Sequence, residues 1–173
     1  TQVDESKYEV VYSDGACKGN GKADPVAGIG VWWGHDDHRN LGERCPGEQT
    51  NNRAELIAIL RVLEETPISK RPLLIKTDSK YSIDCLQNWF GKWSSTGWKN
   101  SSGQPVKNRG VIECIDKMIK IRNWKGQAVD LVYVKGHSGH VGNDGADFMA
   151  NIGTTKSPLP DRDWEALLQK LTK

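Results

Sequence analysis

The chain has 173 residues, 27% of them charged and 36% hydrophobic, with a net charge of +2. That is an ordinary soluble composition, long enough to bury one domain's core, and no apolar stretch reaches the roughly 18–20 residues of a membrane span. Cys17, Cys45, Cys85 and Cys114 form no CxxC pair and are too sparse for a disulfide framework, so reduced structural thiols in an intracellular, reducing compartment are expected. The opening TQVDESKYEV is acidic and polar, unlike a signal or transit peptide. It lacks an initiator Met, so a processed chain or a piece of a longer one is expected.

Residues 8–17 (YEVVYSDGAC) predict a strand that ends near Asp14. After a GNGKADP turn, VAGIGVWWG (26–34) predicts a second strand. Its glycines are no dinucleotide fingerprint, because no helix follows. The HDDH turn at 35–38 suits a polar hairpin better than a metal site, and a third strand runs through about 39–45. These three make an antiparallel meander. Thr50, Asn51 and Asn52 are N-cap candidates for a helix with Leu56, Ile59, Leu60 and Leu63 as its apolar stripe.

PLLIKT (72–77) predicts a short buried strand ending at Asp78, with Ser79 capping the next helix, whose core face is Ile83, Leu86 and Phe90. A loop rich in Gly, Ser and Trp follows, then a helix with Val111, Ile112, Ile115, Met118, Ile119 and Arg122 at helical spacing. AVDLVYV (128–134) predicts the last strand, KGHSGHVGN a flexible loop, and a short helix then presents Asp147. After a Pro-containing linker, Trp164, Leu167, Leu168 and Leu171 mark an amphipathic helix expected to pack on the domain. The order predicts an α/β fold with a mixed five-stranded sheet, three antiparallel strands then two parallel, flanked by helices. The domain is drawn at 7–153, with the linker and short helix at 154–173.

Four acids stand out by context: Asp14 in YSDGAC, Glu55 in TNNRAE, Asp78 in KTDSKY and Asp147 in GADFMA. Four carboxylates in one pocket repel unless cations compensate them. Hard, oxygen-seeking Mg²⁺ is the natural partner, and a pair of ions suits in-line phosphoryl displacement. Charge along the chain is uneven. Residues 1–84 carry 11 basic and 14 acidic side chains, whereas 85–173 carry 13 basic and 8 acidic. Cys85 to Ile112 holds no acid at all, but it interleaves Lys92, Lys99, Lys107 and Arg109 with Trp89, Trp93 and Trp98. Cations there would neutralise phosphates and exposed aromatics would pack on sugars or bases, unless the tryptophans are core.

Taken in order, DGAC with its GNG turn, QTNNRAE, TDSKYSI, the Trp-rich basic stretch and VKGHSGHVGNDGAD resemble a cellular type 1 ribonuclease H over about residues 7–153. The resemblance implies the ribonuclease H-like fold and an endonuclease that cuts the RNA strand of RNA/DNA hybrids, including R-loops and RNA primers. It implies Asp14, Glu55, Asp78 and Asp147 as ligands of two Mg²⁺ ions, for which Mn²⁺ can substitute. His137 corresponds to the family's mobile histidine, with His140 a competitor by spacing and Asp144 a further acid near the metal region.

For the hybrid, the resemblance implies contacts at Cys17, Gly19, Asn20, Asn51 and Asn52, with backbone near Cys17 and Gly19 meeting ribose 2′-hydroxyls. Thr50 and Asn108 would grip a DNA phosphate, beside a Glu48 that stands where some relatives carry Arg. Trp89, Lys92, Trp93, Lys99 and Ser101 would line the DNA-strand channel. The partner is the hybrid duplex, with no membrane and a monomer expected. Two other classes compete: a catalytically silent hybrid-binding module, and a 3′-exonuclease, against which the lack of an Asp-x-Glu in the first strand counts.

Overall fold

The structure is a computed structural model and describes residues 4–136 and 139–173. The meander forms as β1 (Glu9–Lys18), β2 (Val26–Trp32) and β3 (Leu41–Arg44), all antiparallel neighbours. β4 (Leu73–Thr77) and β5 (Val129–Tyr133) add to β1's other side in parallel, giving the order β3-β2-β1-β4-β5. β4 is buried throughout, as a parallel strand covered on both faces must be. This is the mixed sheet expected.

Alternation along the strands assigns the helices to faces. Gly15 of β1 lies against α1 (Asn51–Glu65), while Gly28 and Gly30 of β2 lie against α5 (Val141–Gly153). Val11, Ile29, Val31 and Ile75 join Ile57 and Leu60 of α1, and Ile112 and Ile115 of α4 (Arg109–Trp124), in one core. α6 (Trp164–Leu171) packs its Trp and three Leu residues against that core, as expected.

Three local expectations need correction. β1 does not end near Asp14 but continues to Lys18, because β2 pairs with it along Tyr12 to Lys18. What ends at Asp14 is the pairing with β4, whose last register is Ser13 opposite Thr77. The helix expected to end near Phe90 runs on through α2 (Lys80–Ile83), a π-helical turn over Asp84–Trp89 and α3 (Phe90–Ser95), so the Gly-, Ser- and Trp-rich loop begins only at Thr96. A π turn tends to mark a functional place in a helix. Finally, Val141–Asn143 belong to the 13-residue α5, not to the preceding loop.

Candidate active site

The end of the β1–β4 pairing builds the site. One residue past Ser13 and Thr77 stand Asp14 and Asp78, side by side on adjacent parallel strands. Glu55 reaches them from the first turns of α1. That approach needs Gly15, where a Cβ would lie 2.5 Å from the Glu55 backbone nitrogen. Gly15 N–H in turn donates to Glu55 Oε1. Thr50 starts the helix, its hydroxyl accepting from Arg53 N–H at 3.2 Å, a cap of the kind that contributes about 1 kcal/mol. Carboxylate oxygens of Asp14, Glu55 and Asp78 lie within 4.8 Å of one another. Asp147 comes from α5 and completes the lining of a cavity of about 310 Å³ with Asn51, Asn52, Ser79, Lys80 and Tyr81.

Asp147 can meet Asp14 because α5 lies directly on the sheet. A Cβ at Gly28 would sit 2.2 Å from Ala150 O, one at Gly30 2.1 Å from Ala146 O, and one at Gly42 2.4 Å from Met149 O. Three glycines on adjacent strands thus let the helix backbone take the place of side chains. From the helix side, Gly142 and Gly145 admit the rings of Tyr12 and Trp32.

Asp14 and Glu55 are each only 4% exposed. Burial pushes the Asp14 carboxyl far above its ordinary range, and Glu55, Asp78 and Asp147 push it further. Glu55 is also raised, first by burial and then by Asp78, while hydrogen bonds from Asp14 and from the Gly15 N–H oppose the shift. The side chains that shift Asp14 are all carboxyl groups. Among the described residues the cluster offers only hard oxygen donors, which suit a divalent cation such as Mg²⁺.

A second cavity, about 430 Å³, opens along the same helix start. Asn51 and Asn52 line both cavities, and Asn20, Glu48, Thr50, Tyr81, Trp93 and Asn108 line the second. Asn20 Oδ1 accepts from Asn51 N–H at 3.1 Å, tying the β1–β2 turn to α1. Asn108 has left-handed backbone (φ 64°), one of the few non-glycine residues able to take it cheaply. Beyond lies a shallower recess lined by Trp89, Lys92, Trp93, Lys99 and Ser101. Trp89 and Trp93 contact each other with ring centroids 5.5 Å apart, and Trp89 is 38% exposed.

The RNase H family profile matches residues 6–155. The chain belongs to the RNase H family. It is 45% identical over 152 residues to the ribonuclease H of Schizosaccharomyces pombe, covering 87% of this chain and 54% of that protein. To human ribonuclease H1 it is 38% identical over 151 residues, covering 87% and 51%. It therefore spans about half the length of these relatives. By contrast, it covers 91% of the ribonuclease H of Alcanivorax borkumensis, at 39% identity over 85% of itself. Among solved structures, LC9-RNase H1, a type 1 RNase H with the type 2 active-site motif, aligns with TM-score 0.60 and 29% identity over 91% of this chain and 78% of that one.

Within this RNase H domain the structure brings together all four predicted acids, and separately Asn20, Thr50, Asn51, Asn52 and Asn108. Cys17 is half-buried near the end of β1, its thiol facing Gln49 O, and Gly19 lies in the turn after it. His137 lies outside the described residues. His140 stands at the N-cap position of α5, and Asp144 is exposed in its first turn, outside the acid cavity's lining. Of the tryptophans, Trp98 is core: 6% exposed, edge-on to Phe90 and covered by Arg109. Gly15, Gly28, Gly30 and Gly42 also build the site, and the sequence signals them only in part, since glycines two apart within a strand mark a close backbone approach.

Proposed function

We propose that this domain is a Mg²⁺-dependent endonuclease, acting as a monomer, that hydrolyses the RNA strand of RNA/DNA hybrids such as R-loops and RNA primers. One observation carries the reading: three carboxylates, two of them buried and Asp78 half-buried, converge within 4.8 Å, beside an acid-free surface of lysine and tryptophan. Asp14, Glu55, Asp78 and Asp147 would hold two Mg²⁺ ions, which when bound activate water and offset charge on the leaving oxygen. The oxygen of water bonds to phosphorus, the P–O3′ bond breaks, and the departing oxygen takes up a proton. The products are a 5′-phosphate and a 3′-hydroxyl.

The chain's own contribution is placement. Gly15 N–H fixes Glu55, the paired strand ends fix Asp14 and Asp78, and the glycine-seated α5 fixes Asp147. Backbone near Cys17 and Gly19, with Asn20, faces the RNA strand's 2′-hydroxyls, which distinguish RNA from DNA. Thr50 and Asn108 hold a phosphate of the DNA strand near the N-terminus of α1, a favourable place for an anion. Glu48, lining the same cavity, weakens that grip. Trp89 and Trp93 give the DNA strand a surface to pack on, and Lys92, Lys99 and Ser101 face its backbone.

The test is a long end-labelled hybrid incubated with Mg²⁺ or with EDTA. Internal cuts in the RNA alone, ending in 5′-phosphate and 3′-hydroxyl and abolished by EDTA, are expected. Binding without cutting would leave a silent hybrid-binding module, and stepwise loss from one end would point to an exonuclease. Replacing the ribonucleotides around one cut site by 2′-deoxy residues should stop cleavage there. Undiminished cutting would refute the 2′-hydroxyl argument.

A further inference from the structure

Residues 156–163 lie beyond the family match and run across the domain as a strap before α6. Gly47 N–H donates to Leu159 O at 3.3 Å, and a Cβ on Gly47 would strike the Asp161 side chain at 2.6 Å. Arg162 forks onto Glu64 of α1 at 3.1 and 2.8 Å. Trp164 packs against Gly110 of α4. Through Gly47 and, by Asp161, Arg53, the strap also reaches the start of α1, so it joins that start to the start of α4, the two places that supply Thr50 and Asn108.

At the centre of the strap's contacts is Arg53, in the first turn of α1 and 6% exposed. Its Nη2 donates to Asp161 Oδ1 at 2.5 Å, its Nη1 to Asn108 Oδ1 at 3.3 Å, and its Nε to Pro46 O at 3.2 Å. The same Asp161 oxygen accepts from Trp164 Nε1 at 3.0 Å, and the guanidinium lies over the Trp164 ring. A guanidinium at this depth needs a carboxylate partner, since removing one member of a buried pair leaves an uncompensated charge. Asp161 supplies that partner. With Arg53 held, Asn108 must offer its carbonyl oxygen to the guanidinium and turn its NH₂ the other way, where it donates to Tyr81 Oη at 3.2 Å on the cavity lining. An amide turned that way presents a donor to an anion; turned over, it would present an acceptor.

We propose that the strap is a positioning device for the phosphate cavity: Asp161 fixes Arg53, and Arg53 fixes the amide of Asn108 with its donor toward the ligand. This rests on the reading of that cavity as the seat of a DNA phosphate. Asp161 is a positioning residue and touches no substrate. A rival, purely electrostatic role has the opposite sign, because deleting a negative charge near the cavity would tighten anion binding.

The experiment scans a hybrid whose DNA strand carries one neutral methylphosphonate at successive positions, cut by the wild-type chain and by Asp161→Ala. Wild type should show one position at which neutralisation raises KM about five- to tenfold. In Asp161→Ala, KM for the unmodified hybrid should rise by a similar factor with kcat within about twofold, and the sensitivity at that position should disappear. A lowered KM, an unchanged methylphosphonate profile, or a fall in kcat alone overturns the strap inference. Should Asp161→Ala fail to fold by circular dichroism, Asp161→Asn decides. It keeps the accepting oxygen without the charge, and it should show a partly reduced sensitivity; a wild-type profile overturns the inference. If wild type cuts no hybrid, the functional reading itself falls. If it cuts but no single phosphate matters, the cavity reading falls and takes the strap with it.

Discussion

The acid cleft and the tryptophan–lysine recess lie on one surface but are built by opposite means. In the cleft, charge is buried: Asp14 and Glu55 are brought from a strand and a helix into mutual repulsion, held by strand pairing and glycine contacts. In the recess, charge is exposed and local, with Lys92 and Lys99 on one short stretch among tryptophans that touch each other. Buried like charges destabilise the fold until a cation arrives, so they suit chemistry that a cation performs. Exposed charges cost little and bind through counterion release, so they suit grip without selectivity of their own. The difference teaches which mutations should harm turnover, which stability and which affinity.

The sharpest break is Asp14→Asn. Turnover should fall by roughly 10³-fold or more, since charge stabilisation at the reacting phosphate is lost. Yet the metal-free protein should become more stable, its Tm rising about 2–4 °C for each kcal/mol of repulsion relieved. The pH dependence carries the same sign. Asp14 and Glu55 are raised in the folded chain, so it retains protons that the unfolded chain has released. Their contribution is complete below ordinary carboxylate values and is lost as pH rises through the folded ones, about 8 for Glu55. Thermal melts in EDTA should therefore weaken from pH 6 to 9, and Mg²⁺ should flatten that trend. A melt in EDTA that strengthens with pH would contradict the cleft as described.

Next in size is a contrast between a core tryptophan and a recess tryptophan. Trp98→Ala removes a buried ring packed on Phe90 and should cost about 3–5 kcal/mol in denaturant unfolding. Trp89→Ala, at a half-exposed ring, should leave unfolding nearly unchanged and raise KM for hybrid instead. Equal stability losses in the two variants would erase the distinction between core and surface tryptophans.

The mildest test is the double variant Lys92→Ala, Lys99→Ala. Binding should weaken alike for all sequences, and the slope of log affinity against log salt should become shallower by roughly 1.5–2. Melting temperature should not move, because neither lysine is buried. An unaltered salt slope would mean this surface faces away from the nucleic acid.

The sequence by itself determined the element list, the mixed sheet and the identity of the four acids. It could do so because these signals are local: strand-length runs of apolar and β-branched residues, an Asn-rich helix start after Thr50, and acids at the ends of apolar stretches. It ended the helix after Asp78 about one turn early, since Gly91, Ser94 and Ser95 weigh against helix locally while Trp93, packed near Trp98, holds that turn in place. It also put Asp14 at a strand end, because the end that matters belongs to β4's pairing and no local pattern in β1 records it.

Tertiary structure alone decided how close the acids come. Asp147 reaches Asp14 only because Gly28, Gly30 and Gly42, far away in the chain, let α5 settle backbone-first on the sheet. Likewise Arg53 and Asp161, 108 residues apart, form an ion pair that no spacing in the sequence announces. Residue type declares what a side chain can do, but distance between elements is set by what the intervening positions leave out, and the absence of a Cβ acquires meaning only when the opposing backbone is in place.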